Sequence, residues 1–182
     1  FTVAYSLLSL AVLAWLIGAA GRAPFVMLWG WEPWHNHVVL AVMGAVCLIL
    51  TLAIGRPNPF SFGGTNNAAF DPARPGITGW MRHPLLAALA LWATAHAFAN
   101  GTLAHVIMFG SFAGFALVGG RLIDRRRQRD MGAEWHRLRL TAQRPGIGDT
   151  LLSDPLRLLA GVVLYAALIL AHPLLFGVSP IP

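Results

Sequence analysis

Histidine is the residue type with the most chemistry to offer in this sequence, and there are seven. Neutral imidazole can donate or accept a hydrogen bond, move a proton near neutral pH or ligate a metal. His96 lies within the apolar stretch 80–99, with Trp92 one helical turn before it. Ionisable residues are costly in hydrocarbon, so such a histidine is a functional candidate. Its options are a hydrogen bond to a neighbouring helix or coordination of a metal. Imidazoles on facing helices of a bundle can hold a haem iron. His83 cannot share that metal. It precedes His96 by 13 residues, which places the two about 20 Å apart along a helix and about 140° apart around it.

The other histidines offer less. His35-Asn36-His37 opens a second apolar stretch, and His37 could reach a cofactor from that end. His172, next to Pro173, suits a ligand or a residue at the end of a helix. His105 suits a capping or headgroup role, and His136 a solvated one among arginines. Arg82-His83-Pro84 reads as a helix start, because proline at the first turn loses only an N–H that would be unpaired there. Arg82 and His83 then stand beside the positive end of a helix, placed for an anion or an acidic side chain.

Several chemistries are excluded. The sequence has no Gly-rich phosphate loop, nucleophile elbow or zinc-type His-Glu pair. The spans lack paired carboxylates, which argues against a proton-driven pump. The single cysteine, Cys47, rules out an internal disulfide and a cysteine-built zinc or iron–sulfur site, and it reads as a small buried hydrophobe. Ligation by histidine alone suits haem better than a hard metal.

The elements that must position these residues follow from composition. Hydrophobic residues make up 57% of the chain and charged residues 11%, with a mean hydropathy of +0.63. Soluble domains carry about 25% charge, so the solvent for this surface is a bilayer. Apolar runs fall at about 3–20, 37–54, 80–99, 103–123 and 156–176. Each approaches the roughly 20 residues that a helix needs to cross the hydrocarbon core. Period-two alternation is absent, which argues against membrane strands. The expected fold is all-α, a polytopic transmembrane bundle with about five spans. Phe1 is not a natural start, so something N-terminal is expected to precede the sequence.

The connections set the orientation. Residues 55–79 form an irregular loop with four prolines, and Asn100-Gly101 is a tight turn. Residues 121–144 hold eight of the arginines, and the net charge is +6. That stretch is expected to extend the fourth helix into water and rest on anionic headgroups. By the positive-inside rule it is cytoplasmic, and loop 55–79 shares its side. Loop 21–36, with Trp29, Trp31 and Trp34, belongs at the opposite interface. The location implied is a bacterial inner membrane, and a nucleic-acid partner is not expected.

One family matches these features. Trp80-Met-Arg-His-Pro-Leu-Leu, Leu91-Trp92-Ala-Thr-Ala-His96, Asn100-Gly101, Phe109-Gly-Ser-Phe112, Tyr5-Ser6-Leu7 and Ser9-Leu10 together resemble the NnrU family. That family includes bacterial membrane proteins linked to denitrification and the plant 15-cis-zeta-carotene isomerase. The resemblance covers about residues 3–145 of a single domain over 1–182, with an additional C-terminal span at about 155–177. It implies a haem b protein. In the isomerase the iron is held by two histidines, one at the position matching His96 and one on a helix that would precede Phe1. A further histidine of the isomerase, just after its second helix, has no match in Gly21-Arg22. His37 or His172 could supply the second ligand.

Three functions follow from this reading. The first is a haem protein with a redox-linked role, either as a carotenoid-type cis/trans isomerase acting on a polyene or lipid-like molecule, or as a denitrification accessory protein. The second is a non-catalytic membrane subunit packed against a larger complex. The third is an isoprenylcysteine-type methyltransferase, suggested by Arg-His-Pro before a span and by Glu134-Trp135-His136 after the last charged helix. The catalytic residues stay unassigned.

Overall fold

The computed structural model describes residues 2–182, apart from the side chains of Thr2 and Tyr5. Phe1 and the side chain of Tyr5, on which part of the resemblance rests, lie outside the described residues. Among the described residues there are seven α-helices and no strand. Five are apolar: α1 (Thr2–Arg22), α2 (Pro33–Ala53), α3 (Pro84–Asn100), α4 (Leu103–Met131) and α7 (Pro155–Phe176). Two short ones, α5 (Ala133–Thr141) and α6 (Ile147–Leu152), lie between α4 and α7. The helices α2, α4 and α7 are long and apolar enough to cross a membrane. With 17 residues, α3 reaches about 26 Å, the lower limit for a span. The chain is an all-α membrane bundle.

Local chemistry sets the ends. Proline occupies the first turn of α2, α3 and α7, where its fixed φ is already helical. Glycine in the left-handed conformation closes α3 at Gly101 and α7 at Gly177, because a Cβ is costly there. These signals move two of the expected boundaries. The third span begins at Pro84 rather than at residue 80, and the second begins at Pro33 rather than at 37. A third correction concerns the arginine segment, which is not one continuous helix. At Gly132 the backbone takes a positive φ of 57°, ending α4 and starting α5 in a new direction.

The apolar helices pack side by side in the order α1, α4, α3, α2, α7. Small residues let α3 lie close to its neighbours, with Ala88 against Val46 and Ile49 of α2, and Ala93 against Met108 and Phe109 of α4. Leu16 and Ala20 bring α1 onto the second of these clusters. Cys47 is fully buried in α2. The outward faces are apolar: Leu7, Leu10 and Trp15 on α1, Phe115 and Leu117 on α4, Val162 and Leu170 on α7 are all exposed. Lipid is the solvent that accepts such a surface.

Glycine sets the α2–α7 contact. A Cβ at Gly161 would stand 2.8 Å from both Leu48 Cδ2 and Thr51 Oγ1. The Gly161→Leu variant is therefore expected to lose about 1–3 kcal/mol through overpacking, read as a lower melting midpoint in detergent. An unchanged midpoint would mean that α7 is not held at this point. One turn away, Tyr165 donates its hydroxyl to the Leu40 carbonyl at 2.9 Å.

Candidate functional site

The chain direction sorts the polar residues onto two ends of the bundle. Loop 55–83, the distal part of α4, α5, α6 and the start of α7 share one end, and every arginine except Arg22 lies there. His35, His37, His96, His105 and His172 share the other.

At the basic end, Arg82 and His83 find their acid in Asp124 on α4. The guanidinium takes both carboxylate oxygens, Nη2 to Oδ2 at 2.7 Å and Nε to Oδ1 at 3.2 Å. His83 Nε2 lies 3.0 Å from Asp124 Oδ1, and His83 Nδ1 lies 3.0 Å from Ser61 Oγ. Pro84 starts α3 beside them, so the helix-start motif fastens α3 to α4. Ser61 is also tied through its carbonyl, which accepts from Arg127 at 3.1 Å. The buried Asn58 donates to the Arg82 carbonyl at 3.0 Å and accepts from the Phe60 N–H at 3.0 Å. Serine, imidazole and carboxylate thus stand in line, as in a serine hydrolase. Ser61 is only 1% exposed, so no substrate can reach its hydroxyl, and the line is a structural staple.

Trp135 anchors this end. It is buried edge-on against Phe60, with the Arg82 and Arg139 guanidinia 6.0 and 5.2 Å from its ring centroid. Its Nε1 is buried without a partner. Glu134 faces Arg137, whose hydrogen bonds hold the carboxyl below the usual carboxylate range. A second staple joins α7 to α2. Asp154 caps α7 and pairs with Arg56 at 2.7 Å. Arg157 donates to the Thr51 and Ile54 carbonyls at 2.7 and 2.6 Å, satisfying acceptors at the negative end of α2.

The opposite end holds the histidines, and their hydrogen bonds fix several tautomers. His96 stands one turn before the end of α3 and is half-buried. Its Nδ1 lies 2.8 Å from the Trp92 carbonyl. A carbonyl only accepts, so Nδ1 carries the proton and Nε2 keeps its lone pair. Among the described residues that Nε2 has no partner. Trp92 and Phe109 flank the ring, at centroid distances of 5.1 and 5.4 Å.

His172 on α7 repeats the arrangement. Its Nδ1 lies 2.8 Å from the Val178 carbonyl, which leaves Nε2 as the lone-pair nitrogen. His35 is the reverse case. It is buried between Trp34 and Phe98, and its Nδ1 accepts the Glu32 N–H at 3.2 Å. This is half of a capping box that starts α2. His37 is exposed on the first turn of α2. His105 Nδ1 meets Thr102 Oγ1 at 2.7 Å at the start of α4, and His136 is exposed.

Chemically, then, Arg82, His83, Asp124 and Asp154 at the basic end are engaged with internal partners, and the histidine end offers lone pairs with no partner among the described residues. Asp124, Ser61, Asp154 and the tautomer of His96 escaped the sequence reading. Only Asp124, the first acidic residue of α4, carried a visible signal. No group of three or more metal-binding side chains occurs among the described residues, so the lone pairs are those of separate imidazoles.

No curated protein and no solved structure matches the chain. The family model described as NnrU protein matches residues 1–180, a range that runs through α7. The chain therefore belongs to the NnrU family.

Proposed function

We propose that this NnrU protein binds haem b at the histidine end of the bundle, with His96 as an axial ligand and a redox-linked role. The observation that carries the reading is the fixed tautomer of His96. The Nδ1–H donates to the Trp92 carbonyl, which leaves the Nε2 lone pair unused among the described residues. A backbone acceptor on the far nitrogen is how proteins orient a ligating imidazole and raise its basicity. The residues present fit the group: one free lone pair, with the aromatic faces of Trp92 and Phe109 beside it. For the second ligand, His172 has the same tautomer as His96 and lies at the same end of the bundle, whereas His37 is exposed. We therefore favour His172.

Haem, when bound, would supply a one-electron centre and a Lewis acid. The chain would position the imidazoles, and Trp92, Phe109 and Phe112, which pack together beside His96, would shield the group from water. The resemblance gives that redox role two forms, isomerisation of a carotenoid-type polyene or support of denitrification. The methyltransferase reading is less favoured, because Arg82 and His83 are held by Asp124 and Trp135 is buried, while Glu134 pairs with Arg137 at the surface. The arginine-rich end is assigned to the cytoplasmic side of a bacterial inner membrane, supported by the placement of every arginine but Arg22.

The test is the visible spectrum of the purified full chain from cells supplied with a haem precursor. A low-spin b-type spectrum is expected, and His172→Ala is expected to keep the haem but turn it high-spin. Protein that stays colourless under that supply overturns the reading.

A further inference from the structure

One charged feature remains outside both sites. With 29 residues, α4 is about 43 Å long, against a hydrocarbon core of about 30 Å. Its last turns therefore stand beyond the core. Of the eight arginines in 121–144, five are engaged. Arg126 faces Asp130 at 3.6 Å, Arg127 donates to the Ser61 carbonyl, and Arg137 pairs with Glu134. Arg139 and Arg144 lie over Trp135 and Trp80. Arg121, Arg125 and Arg129 differ. All three are exposed, and none has an acidic or carbonyl partner among the described residues.

Their spacing is i, i+4, i+8, so they line one side of the helix. Like charges at that spacing repel, and an external anion would relieve them. The same side of α4 nearer the bilayer centre is apolar. Phe115, Val118 and Leu122 are 68, 51 and 56% exposed. At 100° per residue these three share a face with Arg125 and Arg129, and Arg121 stands at its edge. An open hollow of about 550 Å³ lies along Leu122, Arg125, Gln128 and Arg129.

We infer that Arg121, Arg125 and Arg129 form a binding site for an anionic phospholipid, with the headgroup phosphate at the arginines and the acyl chain along Phe115, Val118 and Leu122. Guanidinium groups suit phosphate because they present paired donors. The continuous apolar stripe selects a lipid over an acidic polypeptide, which would use only the charges. The inference rests on the membrane placement of α4 and is independent of haem.

Native mass spectrometry of the full chain in detergent, titrated with phosphatidylglycerol or phosphatidylcholine of matched chains, tests it. Phosphatidylglycerol is expected to bind preferentially. Arg125→Gln should weaken it about fivefold, and the triple Arg121/Arg125/Arg129→Gln variant about a hundredfold, to the level of phosphatidylcholine. The double Arg126→Gln/Arg137→Gln control should bind as the parent does. Helicity by circular dichroism checks folding, and if the triple variant misfolds, the three single variants decide. The inference is overturned if the parent shows no preference, if the triple variant keeps it, or if millimolar inorganic phosphate or polyglutamate displaces the lipid.

Discussion

Replacement of Asp124 with alanine is expected to destabilise the protein by about 2–3 kcal/mol. The carboxylate serves two partners at once, the Arg82 guanidinium through a bidentate pair and the His83 imidazole through Nε2. Removing one partner from a shielded ion pair is costly because the other charge stays behind without water. Arg82 is 36% exposed at its side chain, so solvent screens part of the loss, whereas His83 is only 13% exposed. The effect should spread. Asn58, Ser61 and the buried Trp135 all touch this cluster, so loop 55–83 and α5 should loosen with it. Asp124→Asn, which keeps the shape and loses the charge, should fall between the parent and alanine. Thermal melts followed by circular dichroism in detergent would show the order, and equal midpoints would mean that the cluster holds nothing together. Haem content per folded chain should survive both substitutions, since the histidine end is remote.

Substitution of His96 by alanine has the opposite profile. The fold should persist, because the side chain is half-buried and its only hydrogen bond is to its own helix. Haem content should drop at least about tenfold, since loss of even an outer-shell partner of a ligand costs 10–100-fold in affinity. His105→Ala is the matching control. That residue shares the same end and stacks on Phe109, but its Nδ1 is spent on Thr102 at the start of α4. Equal haem loss in both variants would point to a general loosening of this end.

How far the sequence reached depends on the range of the signal. Apolar runs are local, so the five long helices were legible from composition alone. Their ends were less so. Pro33 and Pro84 mark helix starts that hydropathy alone smears by several residues, and Gly132 breaks the arginine segment because of one positive φ. The short α6 passes unnoticed among loop residues. Side-chain partnerships were mostly hidden. His83 and Asp124 are 41 residues apart, and only helix packing reveals that the acid expected beside Arg82-His83 is Asp124. His96 was legible as a polar residue in an apolar stretch, but its tautomer is not written in any motif. It follows from the i−4 carbonyl of Trp92, which exists only once α3 has formed. The same holds for His172, whose partner Val178 lies past the end of its helix.

The haem-to-protein ratio of the purified full chain and its His96→Ala variant, measured by pyridine haemochrome after expression with haem precursor, bears most directly on the function proposed. One haem b per chain in the parent and almost none in a folded His96→Ala protein is the result predicted. A haem-free parent, or a variant as rich in haem as the parent, contradicts it.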